Sequence, residues 1–551
     1  MADVVREVER KYEVADGDDP AALLPALDVK GVRSVVDRGT VRLDATYYDT
    51  ADGRLAADGL TLRRRTGGPD EGWHLKLPVE PGVREEIRAP LSNAPPRALT
   101  SLVRSRTRGV PLAPVIRLRS DRHVWRLEED SGALLAEVAV DAVHAERTAG
   151  GDGPGGRGDD DGAPDGVSGP GRTTAWTEIE VELGDAGGAK LLDRVEKRLR
   201  GAGLRRSSSA SKLERALART APAGTRPPGV PTARTPRTET VPAGGSAGDT
   251  VLRYVREQVT ALVELDPAVR RDLPDAVHRM RVATRRLRSC FRSYGTVLDR
   301  RVTDPLGEEL RWLAGELGYD RDREVLTARL ADAVAELPRP LLHGPVRGRL
   351  RTFAHARRSG SRRRLLGVLD GKRYLALLDR LDALLADPPL RRAAAGPARE
   401  ALAATVHRDT GRLASRLGRA LDLPPGPDRD LALHDARKAA KRARYAAEAA
   451  RPALGKPAKE YRRRLTTVQE HLGDHQDSVV AREALREIAR QAHDAGEHSF
   501  TYGVLYQRES DRAAAREREL PGLWRETAAA LRDAGLPGPA AARTGDGRRA
   551  R

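Results

Sequence analysis

The 551-residue chain contains a single cysteine, Cys290, and aromatic residues make up only 3% of it. One cysteine excludes a disulfide framework and a zinc site built from several thiolates. No apolar run approaches the ~18 residues that a membrane-spanning helix needs. The N-terminal segment MADVVREVERKYEV carries acids where a signal peptide is apolar. We therefore expect a soluble cytoplasmic protein with no membrane partner.

Lysine is also scarce, since only 11 of the 98 basic residues are lysines. The formal net charge is nevertheless +18. An arginine-rich and alanine-rich composition of this kind is typical of a GC-rich genome and does not by itself indicate a phosphate ligand. The net charge favours a polyanionic partner. Whether the chain binds one depends on where the cations lie along the sequence.

Two low-complexity segments divide the chain. Residues 149–172 are rich in Gly, Asp and Pro and predict a flexible insertion, whereas residues 218–248 predict a Pro/Gly/Thr-rich linker. Before the linker, residues 1–217 contain short segments of period-two alternation, which predict an antiparallel β domain. After it, residues 249–540 contain long segments of 3.6-residue periodicity, which predict an all-α domain. The fold class is therefore α+β with two domains, followed by a disordered basic tail at 541–551.

Several predicted strands carry charged side chains on one face, because residues i and i+2 of a strand project together. These rows are Glu7, Glu9 and Lys11; Arg63 and Arg65; His74 and Lys76; and Glu178, Glu180 and Glu182. A single charged face is ordinarily exposed to solvent. Several rows of mixed sign favour a barrel with the charged faces inside, where carboxylates hold a divalent cation and Arg and Lys bind phosphate oxygens.

Six short motifs follow one another through this domain. They are EVERK from Glu7, YYDT from Tyr47, LRRR from Leu62, WHLK from Trp73, TEIE from Thr177 and SKL from Ser211. With its ExExK signature, this ordered set resembles the CYTH superfamily, the triphosphate tunnel metalloenzymes. The resemblance implies an eight-stranded antiparallel barrel with flanking helices, which hydrolyses a terminal phosphoanhydride with Mg²⁺ or Mn²⁺ as cofactor.

The resemblance also implies roles for individual residues. Catalytic roles fall to Glu7, Glu9 and Lys11, and the implied metal ligands are Glu7, Glu9, Asp141, Glu178 and Glu180. The implied triphosphate-binding residues are Lys11, Arg63, Arg65, Lys76, Lys212 and either Arg119 or Arg122. The spacing within RLRSDRHVW does not decide between those two arginines.

The second half of the chain repeats itself. HRMRVATRRLRS begins at His278 and HDARKAAKRARY at His434, and an LG-x-x-x-D motif follows each of them, from Leu317 and from Leu472. This recurrence in order predicts a duplicated helical unit. On a helix, residues i, i+3, i+7 and i+10 share a stripe. The two stripes are His278, Arg281, Arg285 and Arg288, and His434, Arg437, Lys441 and Arg444, with Lys438 beside the second.

Basic helix faces are commonly just solvated, but paired stripes in duplicated positions favour a groove lined with cations. Neither stripe contains an aromatic residue to stack on bases, which favours a plain phosphate chain over nucleic acid. The two His-led helices and both LG-x-x-x-D motifs resemble the CHAD family, the conserved-histidine α-helical domain. The resemblance implies two pseudo-symmetric four-helix bundles that bind inorganic polyphosphate. Metal ligation by His278 and His434 is less favoured, because no carboxylate pair lies beside them.

The sequence thus predicts a metal-dependent triphosphatase joined to a polyphosphate-binding module. Its substrate is inorganic triphosphate or a related triphosphate or polyphosphate. One alternative is a non-catalytic polyphosphate-binding protein associated with polyphosphate granules, and a less favoured one is adenylate cyclase. Clustered carboxylates favour the enzyme, because a pure anion binder gains nothing from them unless metals bridge them. The sequence leaves the substrate, the oligomeric state and the placement of the two domains open.

Overall fold

The computed structural model describes residues 3–14, 27–80, 82–148, 173–221, 245–318, 321–355 and 360–536. The chain forms two compact units, Met1–Thr235 and Pro236–Arg551. The predicted insertion at 149–172, residues 222–244 of the predicted linker and the predicted tail lie outside the described residues.

The N-terminal unit is a closed antiparallel barrel. Its eight strands are β1 (Asp3–Glu13), β2 (Ser34–Asp49), β3 (Thr61–Thr66), β4 (Gly72–Glu80), β5 (Val83–Ala89), β6 (Ala113–Glu128), β7 (Leu134–Arg147) and β8 (Thr173–Leu183). Their order in the sheet is β5-β4-β3-β2-β6-β7-β8-β1, and pairing of β1 with β5 closes the barrel. A two-residue strand, β9 (Arg205–Arg206), pairs antiparallel with the end of β1. The predicted eight-stranded barrel is therefore confirmed.

Within the described residues, five helices accompany the barrel: α1 (Arg54–Ala57), α2 (Arg97–Leu102), α3 (Arg104–Thr107), α4 (Ala189–Gly201) and α5 (Lys212–Arg219). The outward face of β1 packs under α4, where Tyr12 is fully buried and Arg10 donates to Glu196 at 2.7 Å. Covering this outer face leaves the opposite row of β1 for the barrel interior, as the period-two pattern predicts.

Helix α5 fills one end of the barrel interior. Its Leu213 and Leu217 pack in one core with Trp176 and Tyr47, which belong to the inward faces of the strands. The helix begins after Ser211, whose hydroxyl accepts a hydrogen bond from the backbone N–H of Glu214 at 3.1 Å. This N-cap fixes the start of α5, so the first helical side chain, that of Lys212, reaches the polar part of the interior.

The C-terminal unit is all-α in its described residues, as predicted. Its helices are α6 (Ala247–Arg270), α7 (Ala276–Ser293), α8 (Arg300–Glu316), α9 (Arg321–Ala335), α10 (Val346–His355), α11 (Ser361–Asp370), α12 (Lys372–Ala386), α13 (Ala398–Asp422), α14 (Pro427–Leu454), α15 (Lys456–Asp494) and α16 (Phe500–Asp533). No helix within the described ranges is long and apolar enough to cross a membrane.

The two His-led helices are α7 and α14, and they pack against each other. Met280 and Leu287 of α7 are buried in the same core as Ala436, Ala440 and Ala443 of α14. Small alanine side chains let two helix backbones approach closely. The apolar faces of α7 and α14 meet in this way, and their basic residues lie beside the contact.

Candidate functional site

A cavity of about 450 Å³ lies inside the barrel. The predicted site residues that line it are Glu7, Glu9, Lys11, Arg63, Arg65, Lys76, Arg122, Glu180 and Lys212. Four further cations, Arg38, Arg84, Arg88 and Arg126, and four further carboxylates, Asp70, Glu86, Glu137 and Glu182, also line it. The interior therefore carries dense charge of both signs, which is the arrangement that makes so many buried ions tolerable.

Three predicted metal ligands form one cluster. Candidate ligand oxygens of Asp141, Glu178 and Glu180 all lie within 4.8 Å of one another, because β7 and β8 pair Asp141 with Glu178. The Nζ atom of Lys212 lies 3.0 Å from Asp141, 2.9 Å from Glu178 and 2.6 Å from Glu180. The cluster thus already stabilises a positive charge at its centre, and its donors are all hard oxygen atoms of the kind that Mg²⁺ and Mn²⁺ prefer.

Arg119 and Arg122, the two candidates for the phosphate-binding arginine of β6, lie in different surroundings. Arg122 faces the interior, donating to Asp141 from Nε at 2.8 Å and from Nη2 at 2.7 Å, and it also contacts Glu180. The side chain of Arg119 is 53% exposed and lies 3.9 Å from Asp44, away from the cavity. Burial favours protonation of Glu180, but Lys11 and Lys212 outweigh it and hold the pKa of Glu180 well below its usual value.

The predicted pair on β1 lies apart from this cluster. Glu7 accepts a hydrogen bond from Lys76 at 2.5 Å, whereas Glu9 lies 3.4 Å from Lys11, which in turn contacts Glu180. Burial raises the pKa of Glu7 to about 7. The pKa of Glu9 is lowered, because Lys11 and Lys76 outweigh the effect of burial. Near neutral pH, one carboxyl group of β1 can exchange a proton while the other stays ionised.

Glu86 of β5 is a site residue that the sequence reasoning missed. It is 1% exposed and connects three neighbours: Lys76 at 3.1 Å, Nδ1 of His74 at 2.7 Å and Arg88 at 2.5 Å. A signal was available, because Arg84, Glu86 and Arg88 alternate along VREEIRA in the same way as the residues of the other charged rows.

In the C-terminal unit, five of the predicted cations form one cluster across α7 and α14, which we call the basic cluster: Arg281, Arg285, Arg437, Lys441 and Arg444. Lys441 is near its centre, since burial, followed by the charges of Arg437 and Arg285, lowers its pKa to about 7. The pKa of Arg285 is likewise lowered by burial and by Arg281, Arg437 and Arg444. Neighbouring cations repel one another, and a cluster of this kind is typical of a surface that binds an anion.

The other four predicted residues lie around this cluster. Arg288 has Arg292, Glu308 and Arg311 as its charged neighbours, and exposed Lys438 pairs with Asp435 at 2.5 Å. His278 lines a separate cavity of about 460 Å³ beside Leu317, whereas His434 lies near Lys438 and Arg437. The nine predicted positions therefore divide into a central cluster and a periphery.

Another convergence of potential ligands joins Asp430, His475 and Glu517 of three different helices. Both carboxylates already pair with arginines at 2.8 Å, Asp430 with Arg482 and Glu517 with Arg429. His475 is buried and lies 3.2 Å from Glu517. These contacts are those of an ion-pair network that ties α14, α15 and α16 together. Within the described ranges, neither His278 nor His434 belongs to a group of potential metal ligands.

Comparison with known families agrees with both halves of this description. Residues 5–217 match the CYTH domain and residues 253–486 match the CHAD domain. The N-terminal unit is thus a domain of the triphosphate tunnel metalloenzymes, a metal-dependent family that includes triphosphatases. The chain belongs to the proteins in which a CYTH domain is followed by a CHAD domain.

Individual relatives extend the comparison. An uncharacterized protein of Mycobacterium tuberculosis, Rv2226, is 38% identical over 542 residues, which are 96% of this chain and 97% of the relative. Among solved structures, PptA from Streptomyces chartreusis is 23% identical, with a TM-score of 0.44 over 51% of this chain and 100% of its own. The CHAD domain from the plant Ricinus communis is 25% identical, with a TM-score of 0.40 over 54% of this chain and 95% of its own.

Proposed function

We propose that the barrel hydrolyses the terminal phosphoanhydride of inorganic triphosphate, or of a related triphosphate or polyphosphate, with Mg²⁺ or Mn²⁺. We propose further that the helical unit binds inorganic polyphosphate. The observation that supports the first proposal is the cavity inside the barrel, which is lined by both cations and carboxylates. A site that only bound anions would be weakened by its carboxylates, since they repel phosphate. The carboxylates have a use if a divalent cation binds between them and the substrate.

The residues that would hold the metal are Asp141, Glu178 and Glu180, together with Glu7 and Glu9 of β1. When bound, the metal supplies a positive charge that neutralises phosphate oxygens and makes an attacking water more acidic. The oxygen-only donor set of the three-carboxylate cluster suits such an ion. Its present partner, Lys212, is a flexible cation that can turn toward a phosphate group instead.

The cations bind and orient the phosphate chain. Lys11, Arg63, Arg65, Lys76, Arg122 and Lys212 line the cavity, and their present neighbours are mainly carboxylates. A triphosphate replaces these partners with its own oxygens, so the buried cations remain neutralised. Arg63 is further held by the hydroxyl of Tyr47, which accepts a hydrogen bond from it at 3.4 Å. Lys76 holds the Glu7 carboxylate at the cavity wall, where it can serve either the metal or the attacking water.

The same cavity favours a linear phosphate chain over a nucleotide. Among the described residues that line it, Tyr47 is the single aromatic residue, and its hydroxyl already accepts a hydrogen bond from Arg63. A nucleobase normally stacks on such side chains. Inorganic triphosphate is therefore a better fit than the substrate of an adenylate cyclase.

For the helical unit, the basic cluster supports polyphosphate as the ligand. Its cations destabilise one another in the empty protein, and a chain of phosphates removes that repulsion along its whole length. Tyr445 is already covered by the guanidinium of Arg444, 4.3 Å from its ring centroid, which leaves little room for base stacking. We take the duplicated motifs to reflect two pseudo-symmetric four-helix bundles that share this groove.

The direct test is phosphate release from a panel of substrates. Inorganic triphosphate, thiamine triphosphate, ATP and long-chain polyphosphate are each incubated with Mg²⁺, with Mn²⁺ or with a chelator. We expect release from inorganic triphosphate or a close relative, loss of that release with chelator, and its recovery when either metal is restored in excess. If none of the substrates is hydrolysed while polyphosphate is still bound, the non-catalytic alternative is correct.

A pH dependence of polyphosphate binding follows from Lys441, the half-buried lysine of the basic cluster. A bound polyanion stabilises the ammonium form of Lys441 and raises its pKa above the value of about 7 in the free protein. Binding above pH 7 then takes up a proton, so affinity should fall as pH rises, by up to about tenfold per pH unit. Titrations of polyphosphate binding between pH 6 and pH 9 measure this slope.

The matched variant is Lys441→Arg, because an arginine stays charged throughout this range. His434 is present in both proteins, so any contribution of its titration to the slope is common to the two. The variant should bind with a flatter pH profile than the native protein. Identical slopes in the two proteins would show that Lys441 is not the group that titrates.

A further inference from the structure

Each LG-x-x-x-D motif places a glycine directly against an arginine of the basic cluster. A Cβ atom added to Gly473 would lie 3.3 Å from Nη2 of Arg437, and one added to Gly318 would lie 2.9 Å from Cζ of Arg281. Both arginines are the third residue after the histidine of a His-led helix. The contact therefore occurs twice, at corresponding positions of the duplicated unit.

These contacts are close enough to constrain the two guanidinium groups. Gly473 is buried inside α15, where a glycine costs about 1 kcal/mol relative to alanine. A methyl group at 3.3 Å from Nη2 of Arg437 would push the guanidinium away by a few tenths of an ångström. A methyl group on Gly318, 2.9 Å from Cζ of Arg281, would require a larger movement and would also lie 3.0 Å from the backbone oxygen of Ala314. Other helical glycines of the unit, such as Gly411 and Gly418, have no atom within 4 Å of the added Cβ.

The aspartate of the second motif acts on the same arginine. Asp477 follows Gly473 by one helical turn, so both face Arg437, and its Oδ1 lies 4.0 Å from Nη2 of that residue. Burial raises the pKa of Asp477, and the charge of Arg437 opposes this effect. Glycine thus provides the space for the guanidinium, and the aspartate provides an attraction that holds it there.

We propose that Gly473 and Gly318 are positioning residues for phosphate binding, each fixing the arginine of the basic cluster that lies on it. The inference rests on the proposed binding of polyphosphate by the helical unit. It assigns the LG-x-x-x-D motif a role in recognition rather than in folding. With alanine in place of glycine, Arg437 or Arg281 is displaced from the common surface that it forms with Arg285 and Lys441.

The experiment measures the dissociation constant of the full-length protein for long-chain polyphosphate, in chelator so that no hydrolysis occurs. Gly473→Ala should weaken binding by about fivefold, as expected for partial loss of one charge-assisted hydrogen bond. Its thermal unfolding midpoint should stay the same or rise, because alanine is the better helix former. Gly318→Ala is the second variant and should show the larger loss. Gly411→Ala and Gly418→Ala are matched controls, in which we expect unchanged affinity.

A double-mutant cycle separates positioning from a general structural effect. In an Arg437→Ala background, Gly473→Ala should have no further effect on affinity, because the residue through which it acts is gone. The inference is overturned if Gly473→Ala and Gly318→Ala both keep native affinity, if the loss is the same without Arg437, or if affinity falls only together with the unfolding midpoint. Failure of the native protein to bind polyphosphate would be visible before any substitution and would remove the function proposed for the helical unit together with this inference.

Discussion

Glu9→Gln is expected to reduce metal-dependent hydrolysis of the best triphosphate substrate by about 10²–10⁴-fold in kcat. Glu9 is ionised at neutral pH because Lys11 and Lys76 lower its pKa, so the substitution removes a full negative charge and almost no volume. The fold should survive, since Lys11 keeps its contact with Glu180. Initial rates at saturating substrate, with circular dichroism on the same sample, test both statements.

The matched control for this variant is Asp121→Asn. Asp121 lies on β6 with its side chain 60% exposed and 3.4 Å from exposed Arg42, so the same change of charge occurs outside the cavity. Activity of the control should equal that of the native protein. Near-native turnover in Glu9→Gln would mean that the β1 carboxylates take no part in hydrolysis.

The second large effect is expected from charge reversal in the basic cluster. Arg281→Glu with Arg285→Glu, or Arg437→Glu with Lys441→Glu, should each weaken polyphosphate binding by about a hundredfold or more, because each substitution loses a charged contact and adds repulsion. The salt dependence of binding should also become shallower, since fewer counterions are released. Titrations of the full-length protein in chelator at several salt concentrations measure both effects.

The structure supplies a control of equal charge. Arg399 and Arg419 are exposed on α13 and lie outside the basic cluster. Reversing both changes the net charge of the protein by the same amount as either test pair. Equal losses of affinity in the control and in the test pairs would indicate diffuse attraction to a basic protein. Competition by single-stranded DNA of matched charge, as effective as polyphosphate itself, would exclude a groove that selects phosphate chains.

Much of the barrel site could be predicted from the sequence, because the face on which a strand residue lies is a local property. Glu7, Glu9 and Lys11 share a face whatever the rest of the chain does, and the structure places all three in the cavity. The same alternation predicts the inward rows of β3, β4 and β8. The duplicated His-led helices were likewise visible as a repeat with 3.6-residue periodicity.

Other features of the site depended on the register in which neighbouring strands pair. Arg119 and Arg122 are three residues apart in one strand, and only the register of β6 against β7 places Arg122 opposite Asp141. Glu86 becomes a central residue because β4 and β5 pair it with Lys76. In each case the neighbour comes from another strand, and one residue of register would turn the side chain to the opposite face.

In the helical unit too, some features follow from the sequence pattern and others only from tertiary packing. The sequence alone determined that two basic stripes exist, because helical periodicity is a property of each segment by itself. It did not determine that Arg281, Arg285, Arg437, Lys441 and Arg444 form one cluster while Arg288 and Lys438 lie outside it. That selection depends on how α7 packs against α14, α8 and the glycines of the LG-x-x-x-D motifs. Periodicity fixes which residues share a face, but only tertiary packing fixes what that face meets, because the contacts join residues of different helices, some of them more than a hundred positions apart.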